Sequence, residues 1–308
     1  MVNVTVATSS DGDGSGVSPD AVRAADGAEV YFGWGVSPNL VTAAAKTLRW
    51  AHTAAGGVRA SITPELRKTR ARLTNSQGIH AEPIADWVIA AIGFWARGFG
   101  EAVAAQRECR WAKDALTHAG VHLPEMADLR VGVVGLGGIG RAVARRCAAL
   151  GMKVRGIRRH PTKRRPKGVS WVGGPDDLLD LAPQSDVLVL TVPQTAETTN
   201  LVGGDVLDAL PRGAYVLNVS RGALLDEAAL LARLDDGHLA GCALDVFVTE
   251  PLPADHPFWN HSRVLVTPHV SAVSQRYWER EVALMTENIG RHLRGKRLKN
   301  VVDLEAGY

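Results

Sequence analysis

LRVGVVGLGGIGRAVARRCAAL, residues 129–150, decides the fold of this chain. Leu129 to Val134 reads as an apolar strand of the kind buried on both faces in a parallel sheet. Gly135, Gly137 and Gly140 follow in G-x-G-x-x-G spacing, and Ile139, Val143, Cys147 and Leu150 fall on one face of a helix. Lys153 to Ile157 is the next strand. Strand, glycine turn, amphipathic helix and strand in this order make a dinucleotide-binding unit. Gly135 permits the tight turn, Gly137 lets backbone approach a pyrophosphate, and Gly140 lets helix and strand pack closely. Gly138 and Ile139 complete the turn, and the helix N-terminus offers unpaired N–H groups to the phosphates.

Downstream the alternation continues. Asp176 to Leu181 reads as a short helix, and Glu227 to Asp235 as another. Asp186 to Val192, Ala214 to Val219, Gly241 to Val246 and Val264 to Val266 read as the third to sixth strands. Upstream, Val2 to Ala7, Glu29 to Trp34, Leu48 to His52 and Ala71 to Asn75 are strand candidates of a smaller α/β unit, with the Gly/Asp-rich Ser9 to Ser18 as a loop. From Ile79 to about Arg110, Ile84, Trp87, Val88, Ala91, Ile92 and Trp95 recur at helical spacing, predicting one or two helices that lead out of it. Val273 to Arg294 is an amphipathic helix expected to return to the first unit. The expected class is α/β, with two doubly wound parallel-sheet domains, one flavodoxin-like and one dinucleotide-binding. The expected division is 1–99 with 276–308, and 100–275.

The bulk numbers narrow the partners. A net charge of +3 on 308 residues argues against a general affinity for nucleic acid. No apolar run is long enough to span a bilayer, and no signal-peptide pattern opens the chain. Cys109, Cys147 and Cys242 are odd in number and far apart, so neither a disulfide framework nor a metal site is expected, and a reducing cytoplasm is the expected compartment.

The tip of the second strand of the dinucleotide unit carries Arg158 and Arg159, opening the run RRHPTKRRPK. An NAD site places Asp or Glu there, about 20 residues after the glycines, to hold the ribose 2′-hydroxyl. No acidic residue lies between Gly140 and Asp176. A 2′-phosphate needs positive charge, and Arg forms paired hydrogen bonds with it. NADP(H) is therefore the expected cofactor, with NAD(H) as the alternative.

Three segments at strand ends each carry an ionisable residue: NVSRG with Arg221, DVFVTEP with Glu250, and TPHVS with His269. Beyond the carboxyl ends of an open α/β sheet they should converge on one ligand. With VPQTAETTNLVG (192–203), NVSRGALLDEAAL (218–230), ALDVFVTEPLP (243–253), TPHVSA (267–272) and TNSQGIHAEPIADWV (74–88), nearly the whole chain resembles the D-isomer-specific 2-hydroxyacid dehydrogenase family. The resemblance implies His269 as acid/base, Glu250 as its partner and Arg221 as substrate anchor. Each role has a physical reason. A histidine titrates near neutral pH and can deliver a proton to a carbonyl oxygen. A carboxylate beside it fixes the ring, and an arginine pairs with a carboxylate and polarises the carbonyl next to it.

The resemblance further implies Asp245 on the nicotinamide carboxamide and Val192, Pro193 and Thr198 along the cofactor, with Val219, Ser220, Arg221, His269 and Ala272 beside it. The loop TAAGG (53–57) would bind substrate carboxylate through the backbone of Ala55 and Gly56. A homodimer is implied, with Trp111 and the preceding helix contributing. Trp34 is read either as packing or as reaching the substrate. Asp86-Trp87 stands where many relatives have Glu-His, and Ala272 where many have Gly. The implied activity is NADPH-dependent reduction of a small 2-oxo acid, such as glyoxylate or hydroxypyruvate, to the D-2-hydroxy acid. Phosphoglycerate-, formate- and phosphite-oxidising relatives share much of the pattern. The alternative is a dinucleotide-sensing, corepressor-like binding protein.

Overall fold

The computed structural model describes residues 3–7, 17–118, 123–162 and 164–307. The chain forms two compact units, Met1–His80 with Ser274–Tyr308, and Ala81–Val273.

The first unit holds a parallel sheet of three short strands, β1 (Val30–Gly33), β2 (Trp50–Thr53) and β3 (Arg72–Asn75), in the order β1-β2-β3. Their carboxyl ends lie level, with Gly33 opposite Thr53 and Thr53 opposite Asn75. The crossover helices Pro38–Ala43 and Pro64–Arg67 start on Ser37 and Thr63, whose hydroxyls accept from the first-turn N–H groups of Leu40 and Leu66. Pro at their first position fits, because its missing N–H would have had no partner there. Leu40, Val41, Leu66 and Leu73 form the core of this layer. The C-terminal helix Tyr277–Leu293 buries Met285 beside Trp50, and also buries Glu281 and Asn288. The strand expected at 2–7 is not formed over the described residues 3–7: Val4 and Val6 are 77% and 85% exposed, and no strand among the described residues pairs with them. Of the loop expected at 9–18, residues 9–16 lie outside the described residues.

The second unit is a seven-stranded, all-parallel sheet. Its strands are β4 (Arg130–Val134), β5 (Lys153–Ile157), β6 (Val169–Gly173), β7 (Val187–Leu190), β8 (Ala214–Asn218), β9 (Leu239–Leu244) and β10 (Val264–Val266). They run in the order β10-β9-β8-β7-β4-β5-β6. The order reverses at β4, which pairs with β5 on one side and β7 on the other, so the switch point lies at its carboxyl end. β7 and β8 are buried throughout, as strands covered on both faces must be. β6 is an addition to the six strands expected.

The helix Ala81–Ala96 packs along the helix Gly138–Ala149, and Ile84, Val88 and Ile92 share a core with Val143 and Cys147. That packing carries it into the second unit, so the crossing falls at 80/81 and not at the expected 99/100. Among the described residues no single helix is long and apolar enough to cross a membrane. Burial pushes the Cys147 thiol up to about 12 and raises that of Cys242 as well, while Cys109 is exposed.

Candidate active site

At the switch point, Gly135 adopts φ +102° and its N–H donates to Ile157 O at 3.0 Å, tying the turn to the end of β5. A side chain at Gly135 would meet Val192 Cγ1 at 2.6 Å, and one at Gly140 would meet Gly135 O at 1.9 Å. Thr191 closes this junction from β7, its hydroxyl donating to Gly135 O at 2.6 Å. Gly137 differs: nothing lies within 4 Å of where its Cβ would stand. It begins the helix Gly138–Ala149 with no side chain accepting from the first-turn N–H groups. Backbone donors at an open glycine, at a helix N-terminus that no side chain caps, fit a dinucleotide pyrophosphate. Gly138 and Ile139 belong to this first turn.

Arg158 and Arg159 follow directly on β5. Arg158 N–H donates to Gly173 O at 3.0 Å, and the half-buried side chain forms no ion pair among the described residues. Arg159 lies 3.4 Å from Glu197, whose loop carries Thr195 and Thr198. Thr198 shapes that loop: its hydroxyl accepts from Thr195 N at 2.7 Å and donates to Pro193 O at 2.8 Å. The Ser220 hydroxyl donates to Val192 O. Val192, Pro193, Thr198 and Ser220 therefore form one rim from β7 to β8, with Val219 buried beneath it.

The next two strand ends carry the ionisable groups. Asn218, buried at the end of β8, accepts from Ser220 N at 3.1 Å and donates to Arg221 O at 2.8 Å. This Asn turn sets the direction of Arg221, whose Nη1 donates to Ser220 O at 2.5 Å. Gly222 then lies directly on the β9 loop, where a Cβ would fall 1.9 Å from Phe247 C. Phe247 N donates to Glu250 Oε1 at 2.9 Å, and Glu250 Oε2 meets His269 Nδ1 at 2.8 Å. A carboxylate only accepts, so Nδ1 carries the proton and Nε2 is the second ring nitrogen available for chemistry.

His269 has φ +54°, a left-handed conformation unusual outside glycine. Asp245 holds it there. Its carbonyl accepts from His269 N at 2.8 Å. Its fully buried carboxylate accepts from the Thr267 hydroxyl at 2.5 Å, Val270 N at 2.9 Å and Ser271 N at 2.9 Å. Asp245, expected to face the nicotinamide, is thus engaged by the turn that carries His269. Ala272, just beyond, packs against the core. Asn218, Gly222 and Thr191 shape these strand ends, and the sequence did not single them out. The first two sit inside the quoted NVSRG motif, and Thr191 is a hydroxyl at the end of an apolar strand.

In the first unit, the loop after β2 is fixed by its carbonyls. Ala54 O accepts from the Tyr277 hydroxyl at 2.6 Å, Ala55 O from Ser76 N at 3.2 Å, and Gly56 O from Asn75 Nδ2 at 2.8 Å. Trp34 stacks on Tyr277 (ring centroids 5.4 Å apart, 13° between planes) and remains 43% exposed. His80 stacks on the same ring, and burial holds its imidazole below the ordinary histidine value.

A glycine turn at the switch point of an open parallel sheet, with a histidine–carboxylate pair at neighbouring strand ends, is the arrangement of a nicotinamide-dinucleotide oxidoreductase. Residues 89–271 match the model of the D-isomer specific 2-hydroxyacid dehydrogenase, NAD binding domain. The glyoxylate/hydroxypyruvate reductase A of Salmonella paratyphi B is 34% identical over 225 residues, 72% of this chain and 68% of that protein. A D-isomer specific 2-hydroxyacid dehydrogenase from Xanthobacter autotrophicus Py2, solved with NADPH and MES, superimposes with a TM-score of 0.81 at 34% identity. That match covers 92% of this chain and 86% of the other. The NADPH-dependent glyoxylate/hydroxypyruvate reductase of Sinorhizobium meliloti, solved with NADP and sulfate, gives 0.79 at 30% identity, covering 92% and 87%. The chain belongs to the D-isomer specific 2-hydroxyacid dehydrogenase family, and its cofactor is a nicotinamide dinucleotide.

Proposed function

We propose that the protein reduces a small 2-oxo acid of the glyoxylate or hydroxypyruvate class to the D-2-hydroxy acid, using NADPH. The observation that carries this reading is the 2.8 Å His269–Glu250 pair, whose glutamate sits on the loop packed directly against the one bearing Arg221. Bound NADPH supplies the hydride that becomes the new C–H bond. His269 supplies the proton to the carbonyl oxygen from Nε2, while Glu250 holds Nδ1 and stabilises the charged ring. Arg221 pairs with the substrate carboxylate and draws charge from the carbonyl beside it. In the first unit, the backbone of Ala55 and Gly56 offers donors for a substrate carboxylate.

NADPH over NADH is supported by Arg158 and Arg159 and by the absence of an acidic residue at the tip of β5. The NADP-bound relatives point the same way. The glycines 135, 137, 138 and 140, with Ile139, take the pyrophosphate, and Val192, Pro193, Thr198, Val219, Ser220 and Ala272 flank the rest of the cofactor. We further propose a homodimer through the second unit, where Trp111 is 91% exposed, Phe99 52% and Val103 40%. Three apolar side chains this exposed within one short stretch of sequence support the reading of a surface that a second copy covers.

The deciding experiment is a panel of 2-oxo acids assayed with NADPH and NADH in parallel. Glyoxylate or hydroxypyruvate should rank first, with NADPH. Replacement of His269 by Ala should cut turnover on the order of 100-fold or more. Near-normal turnover in that variant, or equal efficiency with NADH, removes the corresponding part of the proposal.

A further inference from the structure

The loop Ala54–Gly57 gains its directionality from partners on its far side. A trans peptide is planar, with its C=O and N–H pointing in opposite directions. Pinning the carbonyl of one residue therefore aims the N–H of the next. Here three successive carbonyls are pinned inward, by the Tyr277 hydroxyl on Ala54 O, Ser76 N on Ala55 O and Asn75 Nδ2 on Gly56 O. The N–H groups of Ala55, Gly56 and Gly57 are turned the other way. Among the described residues, only Ala55 N has an acceptor, the Thr53 hydroxyl at a long 3.4 Å. Gly56 and Gly57 are exposed. Consecutive N–H groups facing one side form an anion-binding concavity.

The pins themselves are braced. Tyr277 opens the C-terminal helix, and one turn on, Glu281 accepts from the Ser76 hydroxyl at 2.7 Å and meets His52 Nε2 at 2.8 Å, all three residues being buried. His52 Nδ1 in turn meets the Thr74 hydroxyl at 2.7 Å. Asn75 is fixed by Asn300, whose Nδ2 donates to Asn75 O at 3.1 Å while Asn75 N donates to Asn300 O at 3.2 Å. The two side-chain pins thus come from opposite ends of the chain's return: Tyr277 where it re-enters the unit, and Asn75 where Asn300 docks beside β3.

We propose that Tyr277 and Asn75 are positioning residues that preset the loop for a substrate carboxylate, so that its donors are aimed before the substrate arrives. This rests on the reading of the loop as a carboxylate site. Neither side chain touches the reacting atoms. Each removes an orientational cost that a free loop would meet on binding.

The test uses the intact protein loaded with NADPH, and oxalate as a planar carboxylate probe of 2-oxo-acid size. Oxalate affinity is measured by calorimetry, alongside the NADPH Kd, the kcat and KM for glyoxylate, and the melting temperature. Tyr277→Phe removes only the hydroxyl, and Asn75→Ala only the amide. Each should weaken oxalate binding and raise KM by about 3- to 10-fold, the worth of one net hydrogen bond. The NADPH Kd and kcat should stay within about twofold. Tyr277→Leu, which also removes the ring, should be no weaker for oxalate at equal melting temperature than the hydroxyl loss explains. Unchanged oxalate affinity in both Tyr277→Phe and Asn75→Ala overturns the proposal. So does a fall in NADPH affinity or stability that accounts for the loss. Because oxalate binding is read without turnover, a wild-type protein that binds oxalate yet reduces no 2-oxo acid defeats the proposed reaction and leaves this inference standing. A wild type that binds no oxalate defeats the carboxylate loop itself.

Discussion

Gly222 has room for no side chain at all: the place of its Cβ is 1.9 Å from Phe247 C and 2.2 Å from Val248 N. The obstacle is backbone, so no rotamer change relieves it. Alanine at this position must separate the Arg221 loop from the loop that presents Glu250. Turnover of Gly222→Ala should fall by two orders of magnitude or so, as an ångström of misplacement does, with NADPH binding at the glycine turn retained. Preserved turnover would show that the two loops act independently. Asp245→Asn tests the neighbouring turn. The amide must turn an N–H toward one of Thr267, Val270 or Ser271, leaving a buried group mismatched at a cost of about 1–3 kcal/mol. His269 then loses what holds it at φ +54°. Turnover in this variant should drop far more than NADPH affinity, which parallel kinetic and fluorescence titrations can separate.

The helices Ala81–Ala96 and Gly138–Ala149 are joined at their surface by Glu82 and Asp86 with Arg145 and Arg146. The Arg146 hydrogen bond, opposed by burial and helped by Arg145, holds the Glu82 carboxyl below its ordinary value. A carboxylate depressed in the folded state stabilises the fold above its unfolded pKa, and that contribution disappears as pH falls through the folded value. Glu82→Gln should therefore lower stability at neutral pH by no more than about 1 kcal/mol, since the pair is solvent-screened. Denaturant melts should show the wild-type advantage vanishing below the ordinary carboxylate range. An advantage that grows in acid would reverse the assignment. The elements here show what the sequence made legible. β4, the glycine turn and the following helix combine a strand, a turn and a 3.6-residue period in one unbroken stretch, and they form where expected. β6 was illegible, because Val-Ser-Trp-Val-Gly alternates weakly and owes its place to pairing with β5 and to Arg155 lying 4.4 Å over the Trp171 ring. The reverse error fell on residues 3–7, where local β propensity exists but no strand among the described residues stands beside it to complete the ladder.

For the molecule as a whole, two choices follow from surface charge and surface apolarity. The proposed NADPH preference rests on Arg158 at the tip of β5. Arg158→Asp should weaken NADPH far more than NADH, and a proportional loss of both would deny the arginine its part in discrimination. The proposed homodimer rests on Trp111. Trp111→Asp should shift a dimer toward monomer in sedimentation, while a monomeric wild type would end that reading. The site's three ionisable residues were readable from motifs. What fixes them was not, because Gly222 and Asp245 act through contacts between separate strand ends. The loop after β2 depends in the same way on Tyr277, whose hydroxyl reaches Ala54 O across 223 residues of chain.

The cysteines give a practical handle on the last of these questions. With two thiols sealed in the core and held in the unreactive protonated form, a mild alkylating dye at neutral pH would mark Cys109 alone. That residue stands two positions before Trp111. A single fluorophore there would sense whether the apolar surface beside it is covered or bathed in water, with no engineered residue required.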